Sequence, residues 1–269
     1  MGLLSSITTT SVTVSLALFA TSSMADTVSA SASVSNLHYQ LIDLNPNDGI
    51  AASITFAGSV NQSATEVFDI NKGLQRDTQT THDISSIYSN IVLGNGQAAA
   101  GFSVASNNGG FGDFFTKGYQ SGAGTFSADS GMNATFTLSA NTVLVFYGNI
   151  GGHASGPVPW DQDHQANSHA SFGFYGPTLP NNGGTQYAAV NREWGTYHGA
   201  TGSFENFTLS FVNGQQASTT GYLWASMKST GTNVNPAPVP EPETWGMLLA
   251  GLALTGAIAR RRNSARRIG

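Results

Sequence analysis

The sequence predicts an all-β body, a single β-sandwich or jelly roll, lying between two apolar terminal segments. Three observations predict it. Charged residues make up 9% of the chain and glycine supplies 32 of its 269 residues. Such a mix, rich also in Ser, Thr and Asn, lacks helix formers and favours strands joined by turns. Several short stretches alternate apolar and small polar residues, the period of a half-buried strand. Clusters of Gly, Asn, Asp and Pro separate those stretches, as turns require.

Residues 1–25 read as an export signal. Val12 to Ala20 is a short apolar stretch, and Ser23-Met24-Ala25 places small residues before a cleavage between Ala25 and Asp26. The predicted enzyme partner is signal peptidase. The body then runs over 26–233. Val28 to Val34 alternates Val or Ala with Ser. Ala51 to Phe56 follows the turn Asn45-Pro46-Asn47-Asp48-Gly49, and Ala134 to Leu138 precedes the turn Ser139-Ala140-Asn141. Thr142 to Tyr147 is a more continuous apolar strand. Ser171–Tyr175, Phe204–Val212 and Gly221–Ala225 complete the clear set. The expected core is Phe136, Leu138, Val143, Val145, Phe172, Phe174, Leu209 and Phe211, with Thr208 and Ser210 facing water. Between Val67 and Gln97 the pattern changes. Ile84, Ile87, Tyr88 and Ile91 fall at helical spacing behind Asp83, so one helical excursion and a long surface loop both fit.

The C-terminal end has three parts in a fixed order. Residues 234–244 form a Pro-rich linker containing Val239-Pro240-Glu241-Pro242. Proline lacks a backbone donor and fixes φ, so this stretch is extended and exposed, as a processing protease requires. Residues 245–259, Trp245 to Ala259, carry no charge. As a helix they span about 22 Å, short of the roughly 30 Å hydrocarbon core. Snorkelling arginines and local thinning close that gap. Residues 260–269 are basic: Arg260, Arg261 and Arg262 form a membrane stop, with Arg266 and Arg267 behind. The positive-inside rule puts this end in the cytoplasm and the body outside.

This tail resembles the PEP-CTERM sorting signal of Gram-negative bacteria, on the residues Pro240-Glu241-Pro242, Trp245–Ala259 and Arg260-Arg261-Arg262. The resemblance covers the last tenth of the chain. It implies an exosortase-type partner, a cysteine transpeptidase-like membrane enzyme that cleaves near the motif. It implies a transient stay in the inner membrane, then delivery to the outer surface or the extracellular exopolysaccharide matrix. The segment Tyr39 to Gly49, with Leu41-Ile42-Asp43-Leu44 and Asp48-Gly49, resembles openings of other bodies that carry this signal, and implies no activity.

The body's charge narrows its partners. Five basic residues (Lys72, Arg76, Lys117, Arg192, Lys228) face thirteen acidic ones between Asp26 and Asn235. An acidic body without a basic cluster argues against nucleic acid as a partner. The absence of cysteine excludes disulfides, thiolate metal sites and a thiol nucleophile.

Four segments are candidate sites. His153, Asp161, Asp163, His164 and His169 are carboxylates and imidazoles at short spacing, which can bind a divalent metal or simply line a solvated loop. No zinc spacing matches, so no metal or cofactor is expected. Asp43 to Gly49 places oxygen side chains at alternate positions, like a calcium loop, but a tight turn accounts for the same residues. Trp194 and Tyr197, beside Arg192 and Glu193, offer a sugar contact if exposed and core filling if not. Glu66, Glu193 and Glu205 are available acids that no motif pairs, and no nucleophile elbow or phosphate loop is present. The expectation is a non-enzymatic structural protein of the cell surface or matrix, the alternative a carbohydrate-binding module acting on exopolysaccharide. A flat exposed aromatic row would favour the module.

Overall fold

The computed structural model describes residues 27–104, 110–157, 163–177, 185–196, 202–234 and 249–253. Ala25–Ala237 forms one compact unit. Its described residues form twelve antiparallel strands: β1 (Val28–Asp43), β2 (Ile54–Asp69), β3 (Gly73–Thr81), β4 (Ile87–Leu93), β5 (Gly96–Val104), β6 (Gly110–Gln120), β7 (Gly124–Leu138), β8 (Thr142–Ser155), β9 (His164–Pro177), β10 (Thr185–Gly195), β11 (Ser203–Asn213) and β12 (Thr219–Asn233). One sheet has the order β11-β8-β1-β6-β5-β4 and the other β10-β9-β12-β7-β2-β3. They share one core, so the body is a sandwich.

The core has two regions. Toward one pole it is aromatic. Phe136 of the second sheet meets Phe211 of the first edge-on at 5.2 Å, and Phe146 meets Phe172 at 5.2 Å. Toward the other pole, small hydroxyl residues point inward and bond across the sheets. Ser63 donates to the Ala100 carbonyl at 2.7 Å, Ser130 to Gly101 at 2.9 Å, and Thr116 pairs with Ser229 at 2.8 Å. These bonds satisfy polar groups that burial would otherwise penalise.

Both ends of the body lie at this second pole. Val28 opens β1 opposite Gln120, and Asn233 closes β12 with its amide donating to the Gln120 carbonyl at 3.3 Å. The backbone N–H of Val234 then donates to the Asp163 carbonyl. The sandwich is therefore entered and left at one end.

Several expectations need correction. Residues 87–93 form β4, neither helix nor loop, with Ile87, Ser89 and Ile91 inward. Ile87 and Ile91 are four apart, a spacing that a helix and a strand both place on one face, so the apolar residues alone did not decide. The rest of the stretch from Val67 onward is mostly strand, supplied by the end of β2 and by β3. In β8 the phase is the reverse of the expected one. Leu144 and Phe146 are fully buried and Val143 and Val145 are half-exposed. A continuous apolar run carries no phase; Thr142 is buried on the same face as Leu144 and Phe146, its hydroxyl donating to the Ala140 carbonyl. The strand expected from Ala51 begins at Ile54. In β11 the phase is the expected one: Phe207 and Phe211 are buried, Leu209 is partly buried, and Thr208 and Ser210 are exposed.

Candidate functional site

The outer face of the second sheet carries aromatic side chains in a row. Strand alternation sends Phe172 and Phe174 of β9 and Leu223 of β12 inward. Their neighbours Tyr175 and Tyr222 therefore point out. Register does the rest: Tyr187 of β10 pairs with Tyr175, which pairs with Tyr222. These residues are 67%, 42% and 46% exposed. The Tyr175 and Tyr222 rings stack at 4.9 Å with 17° between planes. One row further along the strands, Trp224 sits between Gly173 and Asn133, half-buried.

A polar trough adjoins this row. It is open to solvent, encloses about 390 Å³, and is bordered by Gln62, Asp129, Gly131, Asn133 and Ser226. Asn133 is the register partner of Trp224, so the aromatic row and the trough are continuous. Rings with apolar faces beside amides and hydroxyls suit a polyhydroxylated ligand, which stacks its C–H face and bonds through its hydroxyls.

The predicted acids do not converge. Glu66 of β2 pairs with Arg76 of β3. Glu205 of β11 takes a two-pronged bond from Arg192 of β10, at 2.5 and 2.6 Å, which holds its carboxyl below the usual range. Each ion pair ties two strands together. Glu193 lies in β10 opposite His169, and His169 lies opposite Lys228, whose ammonium is 3.8 Å from Asp129. This is a row of polar and charged side chains across the outer face.

The histidines are not gathered either. His153 is exposed on the outer face of the first sheet, while in β9 His164 points inward and His169 outward. Alternation separates what the sequence places close together. Asp161 lies outside the described residues. Among the described residues no group of three His, Asp or Glu side chains is placed to hold a metal ion. The Asp43–Gly49 segment is a turn stabilised by its own carboxylates. Asp43 accepts from the Asn45 N–H at 2.9 Å, and Asp48 from Ile50 at 2.8 Å and from the Asn141 amide at 2.7 Å. The bond from Asn141 and that from Ile50 hold Asp48 below its ordinary pKa.

Trp194 is not a surface contact. It is 6% exposed within the core, and its indole N–H donates to Ser203 at 3.0 Å. A large apolar ring gains more from burial than from solvent, and the hydroxyl satisfies its one donor. Tyr197 lies outside the described residues.

For the C-terminal end, a comparison with known families matches the PEP-CTERM protein-sorting motif over residues 238–263. The chain carries a PEP-CTERM sorting tail. It is thus an exported protein sorted by an exosortase, the enzyme whose substrates bear this tail. The PEP-CTERM match spans the Pro240-Glu241-Pro242 motif, the apolar run and Arg260–Arg262. Residues 249–253 of that run are helical. Val239–Pro242, Arg260–Arg262 and the Ala25–Asp26 junction lie outside the described residues. Among the described residues no helix is long and apolar enough to cross a membrane. No curated protein and no solved structure matches the chain.

Nothing in the sequence singles out Tyr187 or connects Tyr175 with Tyr222. The outward phase of Tyr175 and Tyr222 is legible locally, since both flank buried apolar residues at alternate positions. Their alignment depends on the register of β9, β10 and β12, which no local pattern encodes.

Proposed function

We propose that this is a non-catalytic protein of the cell surface or extracellular matrix, anchored in the inner membrane by Trp245–Ala259 before release, whose body binds exopolysaccharide through the outer face of its second sheet. The observation that supports it is the in-register row Tyr187, Tyr175 and Tyr222 beside the Gln62 and Asn133 trough. Stacked aromatic faces on a rigid sheet bind a sugar chain without reorganising, which keeps the entropic cost of binding low. Two of the three predicted acids, Glu66 and Glu205, are engaged in structural ion pairs, which fits binding without hydrolysis.

The test is a titration of the full chain, in detergent, with exopolysaccharide purified from the producing bacterium. Wild type should bind. The double variant Tyr187→Ala, Tyr222→Ala should lose about tenfold or more in affinity, because each stacked ring contributes on the order of 1 kcal/mol beyond its buried area. Equal binding by the two proteins would reject the row as the contact surface and leave a purely structural body.

A further inference from the structure

The outer face of the first sheet carries a different groove, independent of the tyrosine row. Its floor is the exposed side of β1, where Ser29, Ser31 and Ser33 alternate with the buried Ala30 and Ala32. The neighbouring strands form its walls. On β6, Tyr119 stands opposite Ser29, Lys117 opposite Ser31 and Phe115 opposite Ser33. On β8, Ser155, His153 and Gly151 stand opposite the same three serines. Phe204 of β11 pairs with Gly151, and its ring takes the space a Cβ there would need, 2.5 Å away. Two inter-strand steps separate the walls by roughly 10 Å, and the three serines span about 13 Å. The end nearer Val28 encloses about 300 Å³, lined among others by Ser29, Ser31, Gln97, Lys117, Tyr119 and His153.

The charge of this groove is opposite to that of the body. None of the residues lining it is acidic. Among the body's basic residues, Arg76, Arg192 and Lys228 face carboxylates of their own, and Lys72 adjoins Asp69. Lys117 makes no ion pair among the described residues, and it projects at the wall of the groove. Gln97 of β5 is fixed by its amide, which donates to Asn90 of β4 at 3.1 Å. A serine floor, a carboxamide, an exposed tyrosine and one cation without a partner are complementary to a sugar that bears a carboxylate. Hydroxyls meet the serines and the amide, the pyranose face meets Tyr119, and the carboxylate meets the ammonium.

We propose that this groove along β1 is a binding site for a uronic-acid saccharide, with Lys117 as the residue that selects the carboxylate and Tyr119 as the stacking wall. An acidic body repels a polyanion at long range, so selection by one local cation also makes binding sensitive to salt.

The test uses the full chain in detergent with polygalacturonate, and with fully methyl-esterified polygalacturonate, which keeps the sugar and removes the charge. Wild type should bind the acid form and discriminate against the ester about tenfold or more. Lys117→Gln should lose that discrimination, and Lys117→Arg should restore it. Tyr119→Ala should weaken both forms. The variant Tyr187→Ala, Tyr222→Ala should bind polygalacturonate as wild type does, which separates this groove from the tyrosine row. Equal affinity of wild type for acid and ester, or undiminished discrimination in a Lys117→Gln protein with a wild-type circular dichroism spectrum, would overturn the proposal.

Discussion

Asp69 shows how one residue holds several turns. It is 2% exposed and ends β2 at the pole where the chain enters and leaves. One carboxylate oxygen accepts from the Asn71 N–H at 2.9 Å, in the β2–β3 turn, and the other from the Asn95 N–H at 3.1 Å, in the β4–β5 turn. The first residue of that second turn, Gly94, has φ 57, and a Cβ there would lie 2.2 Å from the carboxylate. Only glycine permits both the conformation and the approach. The bond from Asn95, then that from Asn71, lowers the pKa of Asp69. A carboxyl whose folded-state pKa is lowered stabilises the fold above its ordinary unfolded value, and the contribution is lost as pH falls through the folded value. Asp69→Asn should therefore lower the melting temperature by a few degrees at neutral pH. The gap from wild type should narrow as pH falls below about 4, the ordinary carboxylate value. Thermal melts across that range check it, and a constant gap would mean that charge on Asp69 is irrelevant.

At the scale of elements, β11 is the clearest case of sequence dictating structure. Phe207, Leu209 and Phe211 alternate with Thr208 and Ser210, and the strand has the phase this pattern predicts. Phe211 packs edge-on against Phe136 at 5.2 Å and Phe174 at 5.7 Å, with no exposed surface. Phe211→Asp leaves a cavity worth about 3–5 kcal/mol and adds an unpaired buried charge. Against a domain stability of about 5–15 kcal/mol, that should unfold the body. Thr208→Asp, on the exposed face of the same strand, should leave it folded. Circular dichroism melts of the two variants decide between the faces, and an unchanged melt for Phe211→Asp would refute the assigned phase. Strands with one wet and one dry face were legible in this way. Those missed were of another kind. In β2 the inward positions Asn61, Ser63 and Thr65 are polar; Ser63 and Thr65 gain partners from the opposite sheet and Asn61 from the loop between β3 and β4. In β5, Ala98, Ala99 and Ala100 are buried on both faces, so no alternation marks them. The candidate surfaces were less legible still. Tyr187 and Tyr175 are neighbours because β10 folds back on β9, and Lys117 and His153 flank Ser31 only because β1 lies between β6 and β8.

At the scale of the molecule, the parts have separate tasks. The sandwich begins at Val28 and ends at Asn233 at one pole, and the Pro-rich linker continues the chain from there. The two outer faces, one with the tyrosine row and one with the β1 groove, carry the two proposed saccharide sites. The tail determines whether the body reaches a place where such ligands exist, so the central claim is that the tail is a processed sorting signal. Mass spectrometry of the surface fraction from the native bacterium tests it most directly. The body's last peptide should end near Pro240-Glu241-Pro242, and Trp245–Gly269 should be absent. A surface protein that retains Trp245–Gly269 on most of its molecules would contradict it.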